Sequence, residues 1–322
     1  MCRSVGVAII WICASLCQGA ETYPTQPVRL VVPFAPGGAG DIVGRMIAQQ
    51  LTEQLGKPFN VENRAGAGGA IGAEFVAKSS PNGYTLMLMD TSTAILAGLR
   101  KSLPFDVARD FTPISQITAI PNVLVVPSSL GVTTLKEFIA LAQAKPGRIN
   151  YGSAGVGSSN HLWPALFNKA ATVDITHVPF KGASEVTTAM LTGDVQMQIT
   201  AIPAVLTLVN SGKLRALAVT TTERRRSPAM PDVPSMAEAG VAGMAIYAWH
   251  GLAGPAGIPK DIAGKLHVEV ARAITVPSVK EKFTTEYGAD LVGSSPDDFS
   301  NHVRIELRRL AEVIKTAGIT PE

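Results

Sequence analysis

The chain has 322 residues, 46% of them apolar and 16% charged, with a formal net charge of +3. That length carries a large core and points to two domains. The composition excludes a disordered chain, and so small a charge implies neither nucleic acid nor an anionic membrane as a partner. The one dense basic run, Glu223–Arg226, has no interleaved aromatic residues and reads as a solvated loop.

Residues 1–20 have the form of an export signal. Arg3 supplies a short positive region, and Val5–Leu16 is an apolar core too short to span a bilayer comfortably. Small residues follow, which places cleavage after Gly19 or Ala20. All three cysteines (Cys2, Cys13 and Cys17) lie inside this segment, so the mature chain has no thiol. Disulfides, cysteine nucleophiles and thiolate metal sites are excluded together.

The mature chain opens with an apolar run, Val28–Phe34, a small-residue loop, Ala35-Pro36-Gly37-Gly38-Ala39-Gly40, and then Asp41 at the expected N-cap of a helix whose apolar stripe is Val43, Met46, Ile47, Leu51 and Leu55. A helix start has unpaired N–H groups and a partial positive charge, and glycines let a ligand approach that backbone. The helix stops at Gly56-Lys57-Pro58, and a second strand spans Phe59–Glu62. A further glycine loop, Arg64–Gly72, feeds a helix over Ala73–Ser79, and Tyr84–Met89 reads as a buried strand. This βαβα rhythm predicts a parallel sheet with helices on both faces.

Two strands are expected next, Phe111–Ile117 and Asn122–Pro127, then an amphipathic helix to Ala144 capped by Thr133 or Thr134. Ile149–Phe167 repeats the opening plan: Gly152, Gly155 and Gly157 lead through Ser158-Ser159-Asn160-His161 into an apolar helix. Asp174–Pro179 (strand), Ala183–Leu191 (helix), Val195–Thr200 (strand), Pro203–Ser211 (helix) and Leu214–Thr220 (strand) follow. A proline-spaced connector carries a short helix at Ser235–Ala239, and Ala245–Ala253 is strand-like. The rest is helical: Lys260–Ile274, Ser278–Tyr287 and Pro296–Ala317. Strands that thin out after Ala253 suggest that the chain leaves one lobe, builds another and returns. The expected division is 21–122 with 226–322 for lobe 1 and 123–225 for lobe 2.

Catalytic signatures are missing from the sequence. There is no Gly-x-Ser-x-Gly elbow and no HExxH, and the five histidines never fall at metal-ligand spacing. Ser158 or Ser159 with His161 reads better as neighbours on one helix turn than as nucleophile and base. No loop matches GxGxxG or GxxxxGK[ST], and without a loop lysine a di- or triphosphate lacks its counter-charge. The expectation is therefore no enzyme, no cofactor and no metal. What remains is capture of a small anion by backbone N–H groups and the hydroxyls of Ser153, Ser158 and Ser159. Asp41 either caps its helix or receives a ligand hydroxyl or ammonium. His161 is a structural residue or a hydrogen-bond donor to a carboxylate.

The order of motifs resembles the Bug-type periplasmic receptors, the solute-binding proteins of tripartite tricarboxylate transporters. The matching pieces are VPFAPGGAGD at Val32–Asp41, VENRAGAGGAIGAEFVAKSSPNGYTL at Val61–Leu86, NYGSAGVGSSNHL at Asn150–Leu162, HVPFKG at His177–Gly182, GKLRALAVT at Gly212–Thr220, PDVPSMAEAG at Pro231–Gly240 and WHGLAGP at Trp249–Pro255. The resemblance implies an α/β, two-lobed Venus-flytrap fold with two crossings between lobes, closing on its ligand. It implies that the first loop, through Phe34, Gly37, Gly38 and Asp41, and the second, through Ser153, Gly157, Ser158 and Ser159, hold a ligand carboxylate, partly through ordered waters. Gly40 departs from the family's usual Thr and lacks that hydroxyl. Met197–Thr200 and Thr91–Thr93 are the expected far wall, with Thr200 added to the ligand-binding set. The implied function is capture of a small organic acid in the periplasm and delivery to membrane permease subunits, by a monomer. A sensory module signalling to a membrane receptor is the alternative.

Overall fold

The structure is a computed structural model that describes residues 23–222 and 226–319. The export-signal segment, the three cysteines and most of the Glu223–Arg226 run lie outside the described residues. Among the described residues no helix is long and apolar enough to cross a membrane.

In chain order the elements are β1 (Val28–Val32), α1 (Ala39–Leu55), β2 (Phe59–Asn63), α2 (Ala70–Ala77), β3 (Thr85–Asp90), α3 (Thr91–Leu99) and β4 (Phe111–Pro127). There follow α4 (Leu135–Ala144), β5 (Asn150–Ser153), α5 (Ser159–Ala171), β6 (Thr176–Pro179), α6 (Ala183–Thr192), β7 (Gln198–Ala201), α7 (Leu206–Asn210) and β8 (Leu214–Val219). The last are β9 (Tyr247–Pro255), α8 (Lys260–Ala273), α9 (Pro277–Glu281), β10 (Asp290–Leu291) and α10 (Pro296–Ala317).

These strands form the expected two-lobed α/β architecture. The larger sheet runs β10-β4-β9-β3-β1-β2. It is parallel only among β1, β2 and β3; β9 pairs antiparallel with both β3 and β4, so the sheet is mixed, not parallel throughout. The second sheet uses the far end of β4, with β7 and β8 antiparallel to it, and β5-β6 joined through a Tyr151–Met197 bridge.

β4 corrects the expectation of two separate strands. It runs unbroken through Pro113 and Pro121, and both prolines sit where they remove no needed ladder bond. Pro113 lies at a register slip against β9. Pro121 is the last residue paired with β9, and Asn122 the first paired with β7. At this change-over Asn122 N–H donates to Thr220 Oγ1 at 2.8 Å and Asn122 Nδ2 to the Ile246 carbonyl at 3.2 Å. The Thr220 hydroxyl donates to the Asn122 and Ile246 carbonyls. Three chain passages are thereby tied side by side.

Helix packing follows the apolar stripes. α1 buries Val43, Ile47 and Leu51 against the sheet, each such side chain contributing roughly 1.5–3 kcal/mol. It ends at Gly56, whose left-handed backbone (φ 69°) returns its N–H to Thr52. A capping box of Thr134 and Glu137 starts α4. Three smaller differences concern the expected elements. α3 was not anticipated, Ser235–Ala239 forms turns and no helix, and Ser278–Tyr287 divides into α9 and a wide π turn, Lys282–Glu286.

Candidate functional site

The two strand–loop–helix units, β1-α1 and β5-α5, bring their helix starts to one cleft. The N-caps are Gly38 (φ −79°, ψ 167°) and Ser158 (φ −74°, ψ 158°), and neither helix start receives a side-chain cap. The Ser158 hydroxyl instead donates back to the Gly155 carbonyl at 2.7 Å. Two helix N-termini therefore face the cleft with first-turn N–H groups that their own side chains leave open, each a partial positive charge. Ala39 and Gly40 from α1 and Ser159 and Asn160 from α5 line it. α3 supplies the third wall, and its Ser92 hydroxyl accepts the Ser159 N–H at 3.1 Å. The walls stand close together, and the cavity between them measures about 50 Å³.

Asp41 is not the N-cap. α1 begins two residues earlier, and Asp41 lies in its first turn, reaching back to the loop. Its Oδ2 accepts the Gly37 N–H at 3.0 Å and Arg45 Nε at 3.0 Å; Oδ1 accepts Asn63 Nδ2 at 2.9 Å and pairs with an Arg45 terminal nitrogen at 2.9 Å. Burial alone would raise its pKa, but Arg45, Gly37 and Asn63 outweigh that and hold it below the usual carboxylate value. Asn63 also donates to the Phe34 carbonyl at 3.0 Å. The Asp41–Asn63–Arg45 set thus fixes the glycine loop from Phe34 to Gly38 and leaves the helix-start amides facing inward.

Of the residues singled out from the sequence, Phe34, Gly38, Asp41, Ser159 and Thr200 line the cleft. The others stand behind it. Gly37 (φ 87°) forms the turn that lends its N–H to Asp41. Ser153 is fully buried, with its hydroxyl 2.6 Å from His177 Nε2 and accepting the Gly155 N–H at 3.1 Å. Ser158 is equally buried. Gly157 packs on α3, where a Cβ would stand 2.6 Å from Leu96. His161 is buried, its ring centre 4.4 Å from that of His177, which in turn stacks on Tyr151 at 4.9 Å. Burial, with His161 beside it, pushes His177 down to about 4, so it is neutral at neutral pH. Of the expected far wall, Thr91, Ser92 and Thr200 reach the cleft, whereas Met197 and Ile199 are core.

Four polar lining residues were not anticipated: Asp90, Asn122, Asn160 and His250. Asp90 carried a readable signal, since Asp-Thr-Ser-Thr before an apolar run is a helix start. It ends β3 and caps α3, accepting the Thr93 N–H at 3.3 Å. Burial outweighs the hydrogen bonds from Thr93 and Ser92 and raises Asp90 to about 6. His250 lies opposite Asp90 across the β3-β9 pair, with Nδ1 3.2 Å from Thr118 Oγ1. Burial lowers it to about 4. Among the described residues lining the cleft none is Lys or Arg. No cluster of three or more metal-ligating side chains occurs among the described residues.

This arrangement can bind an anion through backbone amides and hydroxyls. The comparisons with known proteins agree. The sequence profile of the tripartite tricarboxylate transporter family receptor matches residues 43–319. Protein BugT of Bordetella pertussis is 36% identical over 301 residues, covering 93% of this chain and 91% of that protein. R. palustris Rpa4515, solved with adipate, superposes with a TM-score of 0.89 at 38% identity, covering 93% of this chain and all of that one. The periplasmic binding protein BugD superposes equally well, at 0.89 and 30% identity, over 93% of this chain and all of that one. With a profile match over most of its length and relatives above 30% identity along nearly all of it, the chain belongs to the tripartite tricarboxylate transporter receptor family of periplasmic solute-binding proteins, which are receptors and not enzymes.

Proposed function

We propose that this chain is an extracytoplasmic receptor that captures one small carboxylate-bearing solute and delivers it to a tripartite tricarboxylate-type membrane transporter. In this reading the chain is exported by cleavage of residues 1–20. Residues 21–122 with 226–322 form one lobe and 123–225 the other, and the solute is taken between them. The observation that carries the reading is the convergence of two helix starts, α1 and α5, that their own N-cap side chains leave open, on a cleft without a basic side chain. Fixed amides can hold a carboxylate there, and water bridges can complete its shell. A cation would hold it more tightly and release it less readily.

The adipate seated in Rpa4515 supports a carboxylate as the recognised group. The test is a thermal-shift screen of ligand-stripped mature protein against small organic acids and their amides. A solute at a hundred times its Kd adds about 2.7 kcal/mol, which is a midpoint shift of several degrees. The shift should vanish in Gly38→Val. That backbone (φ −79°) accepts a side chain, whose Cβ would meet Ala183 at an ordinary 3.8 Å while its methyls fill the cleft. A folded protein with no shift for any acid would sink the reading.

A further inference from the structure

We propose that Asp90 reads the part of the solute not held by the helix starts, and that the solute is a monocarboxylate bearing an O–H or N–H donor (a hydroxy acid, an amino acid or an acid amide) where a dicarboxylate would carry its second carboxylate. The inference rests on the receptor reading and narrows its ligand class.

The titratable groups that face the cleft are Asp41 from α1, Asp90 at the end of β3 and His250 from β9. α3, β4, α5, α6 and β7 contribute only uncharged groups, among them Ser92, Asn122, Asn160, Ala183 and Thr200. Asp41 is already satisfied: Arg45, Asn63 and the Gly37 amide occupy both of its oxygens. Asp90 is bonded only by its own helix start, from the amides and hydroxyls of Ser92 and Thr93, and no cation pairs with it. The two Thr93 bonds both end on Oδ1 and are long, at 3.3 Å each. The group across from it, His250, is buried and neutral and brings no cation.

A second ligand carboxylate brought against Asp90 would place two anions together in a partly desolvated cleft, with no cation to separate them. One of the two would have to take up a proton. A hydroxyl, ammonium or amide N–H would instead donate to the carboxylate and form a charge-assisted bond. The helix starts already supply what one carboxylate needs, so a single carboxylate and a single donor account for both features of the lining. Burial raises Asp90 to about 6, so the preference is strong at pH 8, where Asp90 is ionised. It fades at pH 5, where Asp90 is largely protonated and can itself donate to a second carboxylate. His250, lowered to about 4, stays mostly neutral across that interval.

Titration calorimetry on the mature chain tests this with chain-matched acids: 4-hydroxybutyrate, 4-aminobutyrate and succinamate against succinate, and 6-hydroxyhexanoate and 6-aminohexanoate against adipate. At pH 8 a donor-bearing acid should bind about tenfold or more tighter than the dicarboxylate of its length, and the gap should shrink at pH 5. Asp90→Asn should abolish the gap while carboxylate binding persists. Asparagine caps helices as well as aspartate does, so α3 is kept, and Asp90→Ser, also a capping residue, provides a second variant. A dicarboxylate that binds wild type at pH 8 as tightly as its donor-bearing partners would overturn the inference and leave the receptor reading intact. An unchanged gap in both variants would do the same. Absence of binding by every acid would overturn the receptor reading and this inference with it.

Discussion

Replacing Gly68 by alanine probes whether the loops that rim the cleft meet when ligand is bound. Gly68 sits in the turn after β2 with φ 67° and ψ 18°, and a Cβ there would stand 2.2 Å from the Val156 carbonyl oxygen and 3.3 Å from the Gly157 carbonyl carbon. Both neighbours are backbone of the loop after β5, so neither can swing aside. Restoring ordinary contact requires the two loops to part by about 1 Å. Two effects follow. The left-handed backbone disfavours alanine by ~1–2 kcal/mol whether or not the loops meet, which lowers the melting midpoint. The overlap acts only when the loops meet, and overpacking of this kind is worth about 1–3 kcal/mol, or roughly five- to more than a hundredfold in Kd. Gly131→Ala separates the two, since its φ is 79° but no atom lies within 4 Å of the added Cβ. Calorimetric Kd values and thermal midpoints for both variants give the answer. If Gly68→Ala binds within about twofold of Gly131→Ala, the loops do not meet in the liganded state and the reasoning fails.

Asp41→Asn should lower stability by about 2 kcal/mol at pH 7, because Arg45 and the Gly37 amide lose a charged acceptor; urea unfolding measures it. Asp41 is held below its ordinary value in the folded chain, so its contribution is present above about pH 4 and is lost as the pH falls further. The difference between wild type and variant should therefore close in acid, and a gap that persists at pH 3 would contradict the assigned role. His250, lowered from 6.5 to about 4, works in the same direction in a higher window. The unfolded chain binds its proton first, so the His250 contribution falls by up to about 3 kcal/mol between pH 6.5 and 4, while Asp90, raised to about 6, contributes in the opposite direction. The stability difference between wild type and His250→Gln should therefore shrink over that interval, with His177 acting alike in both.

The sequence made the two strand–glycine–helix units legible because each is local: a β-branched run, a loop of small residues and a helical stripe lie within thirty residues. The same locality made the carboxylate reading accessible, since helix-start amides act without regard to side chains. The misreadings have physical causes too. Asp41 looked like a cap because Asp commonly is one, but Gly38 already had the extended backbone of an N-cap, and Asn63, twenty-two residues away, drew Asp41 into holding the loop instead. β4 looked like two strands because prolines usually end strands; the register slip against β9 and the change of partner at Asn122 are long-range facts. The hydroxyls of Ser153 and Ser158, expected to meet the ligand, are bonded in this structure to their own loop and to His177.

Affinity and selectivity are therefore written in different parts of the chain. In the proposed reading the helix starts of α1 and α5 hold a carboxylate with backbone, so any sequence that keeps the small residues and the Asp41–Asn63 brace keeps that half of the site. The remaining groups, Asp90, Asn122, Asn160, Thr200 and His250, come from five elements and meet only because β4 passes between the sheets and β9 returns beside β3. Asp90, Asn122, Thr200 and His250 lie outside the helix-start scaffold of the glycine loops, whereas Asn160 belongs to the first turn of α5. Asp90 is the one among them that carries a charge at neutral pH, in a space without a basic residue, so it sets the sign of what the rest of the ligand can be. A receptor built this way changes its solute by substitution at the floor of the cleft while the loops, which carry the family's longest motifs, stay the same. Motif identity then reports the carboxylate, and the residue at position 90 reports its companion.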